Sequence, residues 1–158
     1  MRVILPGSYD PVTLGHLDLI RRAAEQYDEV YAVVFQNPEK TYTFPIEDRV
    51  RMLMLATDEL DNVLVSYSTG LVIDYMRDHG IDKIVKGIRN ETDRAYERIQ
   101  EEWNLAHGGY PTEYLEASDG LEAVSSTLVR EKIRQGVPLD HLLPKKVKEF
   151  IENSLTRP

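Results

Sequence analysis

The chain contains no cysteine. That excludes a disulfide framework, a thiolate metal site and a cysteine nucleophile in one step. Long apolar runs are missing as well, none approaching the roughly 18 residues a membrane-spanning helix needs. The opening residues offer only a short apolar stretch before Pro6 and Gly7 interrupt it, which is not the pattern of a secretory leader. A cytoplasmic address with no membrane association is the expectation. Cations are also in short supply: 19 Lys and Arg stand against 27 Asp and Glu, giving a net charge of −8. Proteins that grip DNA or RNA need excess Lys and Arg to displace counterions from phosphates, so no nucleic-acid partner is expected. A small polyanion is a different matter, because a few cations focused in one cleft can hold one inside an acidic protein. Neither the Walker A loop nor the glycine fingerprint of dinucleotide-binding folds is present. Internal repeats, low-complexity segments and linkers are absent too.

What remains is an ordinary globular composition, 42% hydrophobic and 29% charged over 158 residues, enough for one domain spanning residues 1–158 with a core of its own. Short β-like runs alternate with helical patterns. Arg2–Pro6, Glu29–Phe35, Asn62–Tyr67, Lys83–Ile88 and Thr112–Glu116 read as strands rich in β-branched residues. Leu14, Leu17, Ile20, Ala24 and Tyr27 recur at helical spacing, and further helices are expected at Ile46–Ala56, Leu71–His79, about Thr92–Ala106, Ser126–Gln135 and Lys145–Asn153. Five strand–helix alternations predict an α/β fold: a doubly wound, Rossmann-like, five-stranded parallel sheet with helices on both faces. Ligands of such sheets sit beyond the carboxyl ends of the strands, and the unusual residues of this chain fall in those loops.

The first such loop runs Pro6-Gly7-Ser8-Tyr9-Asp10-Pro11-Val12-Thr13-Leu14-Gly15-His16. A helix start presents free amides and a positive dipole end to phosphate. Gly7 and Gly15 let a bulky anion or base approach the main chain. Thr13 and His16, three apart, share a helical face, and the dipole tends to lower the histidine pKa. A lone histidine is ordinarily a surface residue. His79 and His107 suit that reading, each in a last helical turn where it can donate to a free carbonyl, and His141 sits in a proline-flanked loop. Lys40 follows strand two and would by default be a solvated loop lysine. Lys86 lies inside an apolar run and needs a partner or the rim of the sheet. Arg89 ends the same strand and can clamp phosphate bidentately, which a lysine cannot. Ser125, Ser126 and Thr127 open a helix, as caps or as phosphate donors.

The Thr13-Leu14-Gly15-His16 string resembles the signature of the nucleotidyltransferase superfamily. The wider string from Pro6 to His16 is similar to its phosphopantetheine adenylyltransferase branch. Lys86-Gly87-Ile88-Arg89 resembles that family's Arg-Gly-Leu-Arg element with its first arginine replaced, and Ser125-Ser126-Thr127-Leu128-Val129-Arg130 resembles its Ser-Ser-Thr-Xaa-Xaa-Arg motif. The likeness extends from Val3 to about Leu143. It implies transfer of the adenylyl group of ATP to 4′-phosphopantetheine, magnesium as cofactor with no protein ligand that can be named, a homohexamer, and coenzyme A as a feedback ligand. It implies His16, Thr13, Lys40 and Arg89 as catalytic residues. ATP is expected on Ser8, Tyr9, His16, Gly87, Ile88, Arg89, Glu97, Leu121, Glu122, Ala123, Val124 and the Ser125–Thr127 turn, and the acceptor on Ser8, Lys40, Val72 and Lys86. Two stretches depart from the family's pattern: Asp93-Arg94-Ala95 and Gly120-Leu121-Glu122-Ala123. The departures at Lys86 and Gly120–Ala123 keep open an adenylyl- or cytidylyltransferase acting on another phosphorylated acceptor; a sensor that binds nucleotide without turnover is a further alternative. Lys145, Lys146 and Lys148 read as a solvated face. Trp103 and Tyr75 read as core or subunit contacts.

Overall fold

The structure, a computed structural model, describes residues 1–155. Strands β1 (Arg2–Gly7), β2 (Glu29–Phe35), β3 (Val63–Ser68), β4 (Lys83–Ile88) and β5 (Thr112–Glu116) form one parallel sheet in the order β3-β2-β1-β4-β5. Six helices connect and cover it: α1 (Leu14–Gln26), α2 (Ile46–Ala56), α3 (Val72–His79), α4 (Glu91–Gly108), α5 (Ser126–Gln135) and α6 (Lys145–Leu155). The chain winds outward from β1 through β2 to β3, then crosses to β4 on the other side of β1. The crevice where the order reverses therefore opens between the carboxyl ends of β1 and β4.

Alternation along the strands sorts the core into two layers, because successive side chains point to opposite faces. Val3 and Leu5 of β1, with Val30, Ala32 and Val34 of β2, join the layer packed by Ile20 of α1, Met52 and Leu53 of α2, Val129 of α5 and Ile151 of α6. Ile4, Val33 and Ile84 face the other way, onto Met76 of α3, with Tyr31, Phe35 and Tyr75 at the margin. Helices on both faces follow from strands that are apolar on both faces.

Element boundaries moved for local reasons. α4 begins at Glu91 because the Asn90 side chain accepts from the Asp93 amide, and it runs to Gly108 because Gly109 adopts φ 73° and ends it. β3 starts one residue later than the sequence suggests, at Val63; the Asn62 side chain donates to the Ala24 and Tyr27 carbonyls, and its own carbonyl accepts from the Val30 amide. The buried stripe of α1 uses Ala23 beside Leu17 and Ile20. His79 and His107 sit 2.9 Å from the Tyr75 and Trp103 carbonyls, as their place in the last turns suggested. Of the two readings for Trp103, core or subunit contact, exposure removes the first: it is 38% exposed, stacked on the His107 ring at 4.2 Å. Lys146 pairs with Asp58, and Lys148 pairs with Asp140 at 2.6 Å.

Candidate active site

Two adjoining cavities occupy the crevice. The first, about 400 Å³, lies between the carboxyl ends of β1 and β4, the start of α1, the start of α5 and one face of α4. The second, about 640 Å³, lies between the ends of β1 and β2, the segment 36–42, the start of α3 and the later part of α4. Pro6, Gly7 and Lys86 line both, so the cavities meet at the end of β1.

The loop after β1 is shaped to place His16 in the wall of the first cavity. Thr13 is the N-cap of α1, and its side chain accepts from the His16 amide. In return the Thr13 amide donates to His16 Nδ1 at 3.0 Å, so each residue satisfies one free donor of the helix start. That bond fixes the tautomer: Nδ1 is the acceptor, and the ring proton sits on Nε2. Burial, and then the charge of Arg89, push the His16 pKa down to about 4. The lowering matches the direction expected from the sequence, but its causes are desolvation and a neighbouring cation. At neutral pH the ring is therefore an uncharged N–H donor beside a cavity. Beneath it the Tyr9 ring packs at 5.0 Å. Tyr9 holds φ 47°, and its hydroxyl donates to the Leu5 carbonyl at 2.7 Å. Burial pushes that phenol above its ordinary range. Tyr9 thus supports the imidazole, with its hydroxyl proton committed to the Leu5 carbonyl.

The late hydroxyl turn closes onto the same loop. Ser125 caps α5 by accepting from the Leu128 amide, while Ser126 Oγ donates to the Pro11 carbonyl at 2.7 Å. Arg130 bridges Asp10 O at 3.0 Å and Thr127 Oγ1 at 3.1 Å. A Cβ on Gly15 would stand 3.3 Å from the Val124 carbonyl, so that glycine serves the close approach of α1 to this segment. Gly87 is likewise filled from inside: a Cβ there would meet Leu19 Cδ1 at 2.2 Å.

Charge in the crevice is paired by α4. Lys86 Nζ donates to Glu97 Oε2 at 2.6 Å, which supplies the partner its place in an apolar strand required. Arg89 Nε donates to Asp93 Oδ2 at 3.0 Å, and the Arg89 amide to the same oxygen at 3.1 Å. Burial works against ionisation of Asp93, but the hydrogen bonds and charge of Arg89 outweigh it and hold the carboxyl below its usual range.

Most of the residues expected from the sequence line one or other of the cavities. Tyr9, Thr13, His16, Gly87, Ile88, Arg89 and Glu97 line the first, together with Leu121, Val124, Ser125, Ser126 and Thr127. Ser8, Lys40, Val72 and Lys86 all line the second. Lys40 is thus apart from Thr13, His16 and Arg89. Ser8, expected with the nucleotide as well, borders only the second cavity. Glu122 and Ala123 line neither, and Glu122 turns back to accept from the Gly120 amide at 3.0 Å.

Two residues that position this site were given no role of their own from the sequence. Asp10 is buried and accepts from the Thr43 and Phe44 amides, both at 2.9 Å. Arg49 is wholly buried, donating to Phe44 O at 3.0 Å, Ser8 O at 3.1 Å and Gln36 Oε1, with its guanidinium 4.0 Å from the Tyr42 ring. Together they tie the Lys40 loop to the opening loop at both ends. A signal was available, since Arg49 falls three and four residues before Met52 and Leu53, on the apolar face of α2.

A sheet of this order, with both loops folded over one crevice, is the scaffold of a nucleotidyltransferase. The chain belongs to the cytidylyltransferase-like family, whose sequence profile matches residues 4–132. More narrowly, it is 39% identical over 158 residues, 99% of each chain, to a protein named phosphopantetheine adenylyltransferase from Corynebacterium efficiens. Identity at that level over the full length puts it in the phosphopantetheine adenylyltransferase family.

Proposed function

We propose that the protein transfers the adenylyl group of ATP to the phosphate of 4′-phosphopantetheine, giving dephospho-coenzyme A and pyrophosphate, a step of coenzyme A biosynthesis. The observation that carries this reading is the pair of cavities meeting at Lys86 and the Pro6–Gly7 turn, with the uncharged His16 ring in the wall of the first. A two-substrate transfer needs two sites that adjoin where the bond is made.

An oxygen of the acceptor phosphate forms a bond to the α-phosphorus of ATP as the bond from that phosphorus to the pyrophosphate oxygen breaks. The nucleophile comes with the substrate, so a chain without cysteine loses nothing. His16 donates its Nε2 proton as a hydrogen bond to the charge growing on the α-phosphate, and Thr13 holds the ring in that tautomer. Lys40 and Lys86 hold the acceptor phosphate. Arg89, Glu97 and the Ser125–Thr127 helix start hold the nucleotide, against walls formed by Gly87, Ile88, Leu121 and Val124. Magnesium, which supplies charge neutralisation on the phosphates, fits as an ion arriving on ATP. Among the described residues no group of three or more His, Cys, Asp or Glu could cage it, and such ions are commonly held by substrate phosphates with few protein ligands.

A cytoplasmic homohexamer subject to feedback by coenzyme A completes the reading. Supporting the oligomer, Tyr96 and Ile99 lie 76% and 71% exposed along α4, an apolar strip suited to a subunit contact. Supporting the location, no described helix is long and apolar enough to cross a membrane. The test is mass detection of dephospho-coenzyme A after incubation with ATP, magnesium and 4′-phosphopantetheine. No product under those conditions removes the assignment. Pyrophosphate release with other phosphorylated acceptors identifies a different substrate if one is used.

A further inference from the structure

Behind the Lys86–Glu97 ion pair stands a side chain that has no role in the account above. The Tyr114 hydroxyl is shut off from solvent and has no hydrogen-bond partner. Buried hydroxyls are ordinarily paired, so an orphan of this kind points to a state in which the partner is present. Its surroundings narrow the choice. Tyr114 of β5 is in register with Lys86 of β4, and in-register neighbours on adjacent strands project from the same face of the sheet. Glu97 of α4 reaches that face to take the Lys86 ammonium at 2.6 Å. Arg94, one turn earlier on α4, holds its guanidinium 5.6 Å from the centre of the Tyr114 ring. Burial, then the carboxylates of Glu101 and Glu97, push the phenol above its ordinary range, against a pull from Arg94. The hydroxyl therefore sits within electrostatic reach of Glu97 while Lys86 occupies that carboxylate.

We propose that Tyr114 is a positioning residue for Glu97: when Lys86 turns to the acceptor phosphate, the Tyr114 hydroxyl donates to the vacated carboxylate and keeps it in place for the nucleotide. The idea rests on the roles given above to Lys86 and Glu97. Without such a replacement, the Lys86 ammonium would leave behind a carboxylate that is only 23% exposed and has lost its counter-charge. With it, seating the acceptor and holding the nucleotide cease to compete for one ion pair.

The test is a stability cycle that needs no ligand. Lys86→Met removes the ammonium permanently and mimics its departure. Tyr114→Phe in the otherwise native protein should leave the urea midpoint unchanged or raise it, because the hydroxyl deleted there is unpaired. In the Lys86→Met background the same substitution should lower the midpoint, because the hydroxyl now holds Glu97. Equal effects in the two backgrounds would overturn the proposal. Should Lys86→Met fail to fold, kinetics decide instead. Tyr114→Phe should raise KM for ATP several-fold and change kcat by less than about twofold, with no further effect once Glu97→Ala is present. An unchanged KM overturns the idea. Wild-type turnover is read separately: if the native protein makes no dephospho-coenzyme A, the proposed function falls, while the stability cycle still judges Tyr114.

Discussion

Substituting His16 in two ways separates its two tasks and ranks the variants in opposite orders. Nδ1 accepts from the Thr13 amide at 3.0 Å, and Nε2 carries the proton offered to the cavity. An asparagine oxygen can replace Nδ1 but does not reach the position of Nε2. A glutamine amide reaches toward Nε2 but abandons the cap. Both lose the ring packed 5.0 Å from Tyr9, worth about 1 kcal/mol. His16→Gln loses in addition the acceptor for the Thr13 amide, about 1 kcal/mol more. In urea unfolding, His16→Asn should therefore be the more stable variant. In turnover the order inverts. Removing the donor to the α-phosphate costs about a hundredfold to a thousandfold in kcat, or about 3–4 kcal/mol of transition-state stabilisation, so His16→Asn should fall that far and His16→Gln should retain part of the rate. Pyrophosphate release at saturating ATP and acceptor measures it. Near-native turnover by His16→Asn, or activities that track stability, would refute the donor role.

Further outcomes follow from the same geometry. Because burial and Arg89 depress the His16 pKa from 6.5 to about 4, the folded protein binds fewer protons than the unfolded chain between those values. The contribution is fully present above about pH 6.5 and is lost as pH falls toward 4. It amounts to at most about 3 kcal/mol, and to less with one edge of the ring facing the cavity. Urea midpoints at pH 7 and pH 4.5 should differ less in His16→Asn than in the native protein; an unaltered slope would contradict the depressed pKa. Asp10→Ala strips the acceptor from the Thr43 and Phe44 amides and the nearby anion from buried Arg49, so unfolding free energy should fall by about 3–5 kcal/mol. Lys40→Ala, at an exposed loop position, should change stability by no more than about 0.5 kcal/mol while lowering kcat; full activity would return Lys40 to the status of a solvated lysine.

The sequence revealed what depends on short-range patterns. The β-branched run Glu29–Phe35 and the apolar run Lys83–Ile88 are strands with those same ends, because a strand buried on both faces must be apolar throughout. Gly80 ends α3 at φ 65°, where a residue without Cβ meets no strain. The crevice residues were legible because helix starts after strands are where amides are free. Contacts joining distant segments were not legible. Arg49 looks like a surface residue until Gln36, Phe44 and Ser8 are brought around it. Lys86 announced that it needed a partner, but Glu97 could be named only when α4 was laid across β4. The His16 tautomer depends on a single amide, and no spacing rule reports which ring nitrogen that amide meets. Nor did the sequence show that Gly15 and Gly87 make room for neighbours from within the chain, the Val124 carbonyl and the Leu19 side chain.

An acidic protein that binds two phosphorylated substrates must keep its few cations aimed without a ligand present. Asp93 and Glu97, four residues apart on α4, do this for Arg89 and Lys86. The Arg89–Asp93 pair is the more exposed of the two, and such pairs contribute only about 0–1 kcal/mol, so opening it is a small term beside the charge-assisted bonds a phosphate returns, about 1.5–3 kcal/mol each. Asp93 is therefore a weak competitor for the substrate, whereas the more buried Lys86–Glu97 pair costs more to open. Neutralising both, as Asp93→Asn with Glu97→Gln, should leave Arg89 and Lys86 poorly fixed, and weaken ATP binding despite the two negative charges removed. A gain in ATP affinity, read by calorimetry, would show instead that α4 merely obstructs the cations.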